Sequence, residues 1–121
     1  MLADIADLLY FRIMPWTVET LNATVDEELA GLPPDMRARL VRISALIAMA
    51  GLENVGEPHV KHIEGSLWEI RLKGRGGISR ALYVTAPARR VVIVRVFIKK
   101  TQKTPRAEID VALARAKEVR Q

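Results

Sequence analysis

Four cations offer the chemistry in this sequence. Arg71 lies in LWEIRLK (67–73), Arg80 in ISRALYVT (78–85), and Lys99 and Lys100 end RVVIVRVFIKK (90–100). If 67–73, 78–85 and 90–100 are consecutive antiparallel strands, Lys99 and Lys100 return to the start of 78–85, close to Arg80. Arg71 then joins them from the neighbouring strand. A cluster of fixed cations suits a phosphate, above all one that gains charge in a transition state. Arginine contributes a planar fork and lysine a point charge. The reaction such a set fits is metal-free RNA cleavage. The ribose 2′-OH attacks its own 3′-phosphate, and the cations stabilise the pentavalent phosphorane. Only RNA carries that internal nucleophile. A lysine crowded by like charges and partly buried has a lowered pKa and can serve as acid or base. Arg71, Arg80, Lys99 and Lys100 are therefore the expected catalytic set. Lys61, Lys73, Tyr83 and Lys103 are the expected RNA contacts, with Lys103 steering rather than reacting.

Arg80 also has a bland reading. By strand parity it shares a face with Ile78, Leu82 and Val84. A guanidinium on an apolar face is costly unless it is paired or meets an anion. Glu69 on the preceding strand is the internal candidate for that partner. Tyr83 falls on the opposite face by strict alternation, where tyrosines usually pack in the core.

Composition supports an anionic partner. The 121 residues include no cysteine and carry a formal charge of +5, with a pI near 10.0. Between Lys61 and Pro105 there are eleven Lys or Arg residues against Glu64 and Glu69 alone. Such a balance favours nucleic acid, an anionic membrane or an acidic protein. The lack of cysteine excludes disulfides and thiolate metal sites and fits a reducing compartment. His59 and His62, near Glu57 and Glu64, read as solvated histidines rather than a metal site. No carboxylate cluster suggests paired magnesium ions. No apolar run approaches the ~18 residues of a membrane span. MLADIADLLYFRI lacks the basic start and small-residue cleavage site of a secretory signal. The expectation is a cytoplasmic protein with no metal, small-molecule cofactor or membrane partner.

The elements that must position these residues follow from pattern. WTVETL (16–21) reads as a strand. Thr24 is the expected cap of a short helix, with Glu27 completing a capping box. Pro34 and Gly51 bracket a longer helix, in which Met36, Leu40, Ile43, Ile47 and Ala50 form one stripe. A loop with a possible short strand at 60–63 leads into the three strands already named. A last helix is expected from Thr104 as cap and Pro105 in the first turn, with Ile109, Ala112, Leu113, Ala116 and Val119 inward. The expected class is α+β: a compact antiparallel sheet of about four strands, two N-terminal helices and a C-terminal helix. Residues 14–121 read as one domain. Residues 1–13 read as an extension, either dispensable with Met14 as an alternative start, or a helix packing Leu8, Leu9 and Phe11 on the core.

GSLWEIR, the SRALY strand and FIKKTQKTP before the last helix together resemble the phage-derived Gp49-like, HigB-type branch of the RelE/ParE toxin superfamily. The likeness runs from about Trp16 to Val119, and KKTQKTP is its most specific piece. It implies the toxin of a type II toxin–antitoxin pair, cleaving mRNA on the ribosome. The implied partner is a HigA-like helix-turn-helix antitoxin. It also implies that Arg80 contacts the scissile phosphate, with Arg71, Lys99 and Lys100 at the positions of the other cations. The sequence departs from RelE proper at Glu69, where a second basic residue is usual, and at Ser79, often tyrosine. It also has no tyrosine after Tyr83. These departures bear on base stacking and on the acid and base assignments. Two alternatives remain open at this point: a non-nucleolytic ParE-like toxin acting on DNA gyrase, and an inactive phage-derived RNA-binding protein.

Overall fold

The computed structural model describes residues 15–119, with Ile5 alone before them. The expectations for residues 1–13 and for Met14 lie outside the described residues.

Two helices follow the first strand, β1 (Thr17–Thr20). They are α1 (Ala23–Ala30) and α2 (Pro34–Ala50). The expected stripe of α2 holds for Met36, Leu40, Ile43 and Ile47, all buried, while Ala50 is exposed in the last turn. The cap of α1 is not Thr24. Asn22 has extended backbone, and its side chain accepts from Val25 N at 3.1 Å. Asn22 precedes the first helical residue, where a side-chain oxygen can reach a free N–H; Thr24 already lies inside the first turn.

A short 3₁₀ turn (Leu52–Asn54) leads to β2 (Val60–Glu64), β3 (Leu67–Gly74), β4 (Gly77–Ala86) and β5 (Arg90–Lys99). These four form an antiparallel meander. Sheet order is β1-β5-β4-β3-β2, and β1 runs parallel to β5, with Thr17 opposite Arg90 and Thr20 opposite Ile93. The sheet is thus mixed and five-stranded, where an antiparallel sheet of about four strands was expected. The sequence of β1 shows a strand but not its neighbour. β1 fills the edge of β5 that β4 leaves free, and the chain then passes through α1 and α2 to β2 at the far edge of the sheet.

One irregularity has large consequences. Tyr83 pairs with Ile93, but Leu82 pairs with Arg95, so β5 carries an extra residue at Val94. A bulge of this kind reverses the alternation of everything beyond it. Val91 and Ile93 face the α1–α2 core before it, and Val96 does so after it. Past the bulge, Phe97 faces the other side, and Lys99 lies opposite Ile78 on that same side.

The last helix is α3 (Arg106–Ala116). Its cap is Pro105, not Thr104, and Pro105 has extended backbone outside the helix. The Thr104 hydroxyl instead donates to Glu69 Oε2 at 2.9 Å. That bond turns the Thr104 side chain toward the buried carboxylate, and Thr104 stands one residue too early to cap a helix that begins at Arg106.

The sheet separates two cores. Under α1 and α2 lie Ile70, Leu72, Ala81, Tyr83, Val91, Ile93 and Val96. Under α3 lie Leu67, Leu82, Val84, Val92, Val94 and Phe97, against Ala112 and Val119. Glu28 of α1 ties three elements together. It accepts from Arg95 Nη1 at 2.6 Å, Arg115 Nη1 at 3.0 Å and Val96 N at 3.0 Å. Arg95 also donates to Glu108 of α3 at 2.9 Å. Among the described residues no helix is long and apolar enough to cross a membrane.

Candidate nucleic-acid interface

The face of the sheet under α3 has two ends. One is covered by the helix. The other, toward the β3–β4 turn, carries Glu69, Arg71, Arg80 and Lys99, with Lys61 opposite Glu69 on β2. Arg71 and Arg80 are directly paired across β3 and β4. Like charges in that relation repel. Glu69 sits with both: its Oε1 is 3.6 Å from Arg71 Nε, and its Oε2 is 3.6 Å from Arg80 Nε.

The bland partner for Arg80 therefore exists, but it does not satisfy the guanidinium. Arg80 is 3% exposed. Its Nε and Nη1, with Arg71 Nε, are buried and have no hydrogen-bond partner among the described residues. Burial lowers the Arg80 pKa, Glu69 opposes that shift, and Arg71 adds to it. The guanidinium remains charged at any physiological pH.

Lys99 is buried too, and its ammonium donates to the carbonyl of Gln102. Its pKa lies below the ordinary lysine value, first through burial and then through Arg80; Glu69 opposes, and Arg71 and Lys61 contribute further. Lys100 is different. It follows the end of β5 and is exposed. The bulge at Val94 decides between the two lysines. With uninterrupted alternation Lys99 would face α2 and Lys100 would follow Arg80's side; the extra residue puts Lys99 there instead.

Two cavities open on either side of Arg71 and Gln102, which line both. The first, about 270 Å³, is also lined by Arg39, His59, Lys73 and Arg80. The second, about 460 Å³, is lined by Lys61, Glu69, Lys99, Lys103 and Thr104 among others. Thus six of the expected residues line the groove made of these two cavities: Arg80 and Lys73 the first, Lys61, Lys99 and Lys103 the second, and Arg71 both. Lys100 and Tyr83 do not. Tyr83 is 1% exposed on the opposite face, beside Trp16 and Trp68 at a mainly apolar cavity. Burial raises its phenol pKa. It is a core residue and cannot contact a ligand in the groove.

Several basic residues counted in the sequence serve the fold. Arg90 pairs with Glu19 at 2.8 Å, and Arg95 with Glu28 and Glu108. Those acids lie outside residues 61–105, so the local charge count overstated the basic face. His62 places Nε2 at 2.7 Å from the Gly65 carbonyl and packs edge-on to Trp68. No group of three His, Cys, Asp or Glu side chains suited to a metal ion occurs among the described residues. Arg39, from α2, reads in the sequence as an exposed helix-face arginine that could touch a polyanion, and Gln102 carries no signal there, because neither belongs to the strand pattern. Glu69 was legible as a partner for Arg80, but not as the link between two arginines.

Fold and groove together define a small α+β domain with fixed cations gathered at the end of its sheet that α3 does not cover. The model of the family described as phage-derived protein Gp49-like matches residues 27–117. The chain belongs to that family, a RelE/HigB-like toxin family, which agrees with a toxin of a toxin–antitoxin pair at the family level. No curated protein matches the sequence.

Proposed function

We propose that the protein is a metal-independent endoribonuclease toxin that cuts mRNA on the ribosome and is neutralised by a helix-turn-helix antitoxin. The observation that carries this reading is Arg80. A buried guanidinium with two unpartnered nitrogens, facing a cavity beside Arg71, supplies donors that a phosphate's oxygens would satisfy. Such donors cost stability when left unpaired, and they act most strongly where water is excluded.

In this mechanism the RNA phosphate sits against Arg80 and Arg71. The 2′-oxygen attacks phosphorus and loses its proton to a base, the phosphorane's charge grows, and the 5′-oxygen departs with a proton. The products are a 2′,3′-cyclic phosphate and a 5′-hydroxyl. Lys99 stands within the same charge cluster with a lowered pKa, which suits it to donate the proton to the leaving oxygen. Lys61, Lys73 and Lys103 attract the flanking phosphates. Lys100 has only a long-range role in this scheme.

Primer extension on a defined mRNA in a reconstituted translation reaction tests the proposal. Wild-type protein is expected to give discrete cuts that need ribosomes, and Arg80→Ala to give none. No cuts by the wild-type protein, with growth arrest on expression, would overturn it and direct attention to a protein target such as gyrase.

A further inference from the structure

A carboxylate in the middle of a polyanion-binding groove is a liability for affinity. Glu69 is 1% exposed and lines the second cavity with Lys61, Lys99 and Lys103. It cannot be accounted for as a simple stabiliser either. Buried ion pairs are often no better for stability than apolar residues of the same volume. Its geometry gives a different account. Its two oxygens address two arginines, at 3.6 Å each, and those arginines are directly opposed across the strands. Thr104 fixes the carboxylate from the loop that follows β5. Neither arginine is held by a short bond to Glu69, and Arg71 Nε, Arg80 Nε and Arg80 Nη1 have no hydrogen-bond partner among the described residues. Without the negative charge, Arg71 and Arg80 would repel and turn apart before any phosphate arrived.

We infer that Glu69 is a positioning residue that holds Arg71 and Arg80 side by side, so that its charge weakens RNA binding while it speeds RNA cleavage. The inference rests on the endoribonuclease reading above. It separates two quantities that a purely binding or purely structural role would move together. Interactions realised only in the transition state raise the rate of the chemical step, whereas uniform attraction raises affinity alone.

The test uses the full-length protein and a substrate on which wild type cuts at a known step. Affinity is measured on the same RNA carrying a 2′-deoxy sugar at that step, which cannot be cleaved. Cleavage is measured in single turnover at saturating protein. Glu69→Gln keeps the volume and an acceptor for Thr104. It is expected to bind severalfold more tightly, because a like charge to the phosphate is gone, and to cleave about tenfold or more slowly, a change of ~1.4 kcal/mol in the barrier. Glu69→Asp keeps the charge on a shorter arm. It is expected to retain wild-type affinity and recover part of the rate. Thermal unfolding of both variants reports whether they fold.

If both variants bind and cleave as wild type does, or if affinity and rate fall together in Glu69→Gln while Glu69→Asp matches wild type in neither, the inference is wrong. A wild-type protein that cuts no RNA is a distinct result. It removes the endoribonuclease reading itself and the inference with it.

Discussion

Glu28 offers a sharp test of how the sheet end that carries the site is held. Replacing it with Ala removes three acceptor contacts at once. Val96 N loses its partner at 3.0 Å on a strand segment beyond the end of β1. A buried backbone N–H left without an acceptor costs ~1–3 kcal/mol. Arg95 and Arg115 also lose their bonds to this carboxylate, at 2.6 and 3.0 Å. Both arginines are partly wetted, with side chains 24% and 20% exposed. Arg95 keeps Glu108 and Arg115 keeps the Val94 carbonyl at 2.9 Å. Their loss is therefore closer to the ~1 kcal/mol of a partly screened pair than to a fully buried one. The sum is about 3 kcal/mol for Glu28→Ala. Glu28→Gln keeps an acceptor for Val96 and is expected to lose about half as much. Urea unfolding measures both, with an unchanged slope if only the native state is affected. Amide exchange at Val96 should quicken in the Ala variant and much less in the Gln variant. A loss below ~1 kcal/mol for Ala, or equal losses for Ala and Gln, would refute this account of the network.

The two lysines at the end of β5 should separate. Lys99→Ala is expected to lower cleavage by about tenfold or more, as removal of an acid or of a fixed cation at a reacting phosphate does. Lys100→Ala should leave the rate at saturation near wild type and alter only the salt dependence of binding, read by titration with RNA at several salt concentrations. Asp35 gives a pH prediction. It accepts from Arg75 N at 2.8 Å and Met36 N at 3.0 Å, and the Arg75 bond is the main cause that lowers its pKa from the ordinary 3.8. A carboxylate with a lowered folded pKa contributes stability above its unfolded pKa and loses it as pH falls through the folded one. The stability gap between wild type and Asp35→Asn should therefore be present at neutral pH and shrink below the unfolded value. A gap that is constant in urea titrations at pH 7 and pH 3 would contradict the assignment.

Much of the architecture was legible because it is local. The stripe of α2 and the two-residue period of β3 are local, and Met36, Leu40, Ile43, Ile47, Ile70 and Leu72 are buried as those periods require, whereas Ala50 and Trp68 are exposed and Glu69 is buried. Caps were less legible. Asn22 competed with Thr24, and a distant carboxylate drew the Thr104 hydroxyl away from α3. A cap depends on which partner a side chain finds, and Glu69 is thirty-five residues away from Thr104. Charge counting failed at Arg90 and Arg95 for the same reason: their acids come from other parts of the chain.

The sequence by itself determined the α+β class, the meander and the set of cations from which a phosphate site can be built. These rest on spacing within single segments, which the backbone periods of 2 and 3.6 convert directly into faces. Tertiary structure alone decided which cations meet. The extra residue at Val94 reversed the alternation of the end of β5 and brought Lys99, not Lys100, to the side of Arg80. Cross-strand register put Arg71 against Arg80 and gave both of them Glu69. The same faces put Tyr83 in the opposite core. A bulge and a register are properties of paired strands, set by how two segments pack and bond to each other. No single segment contains them.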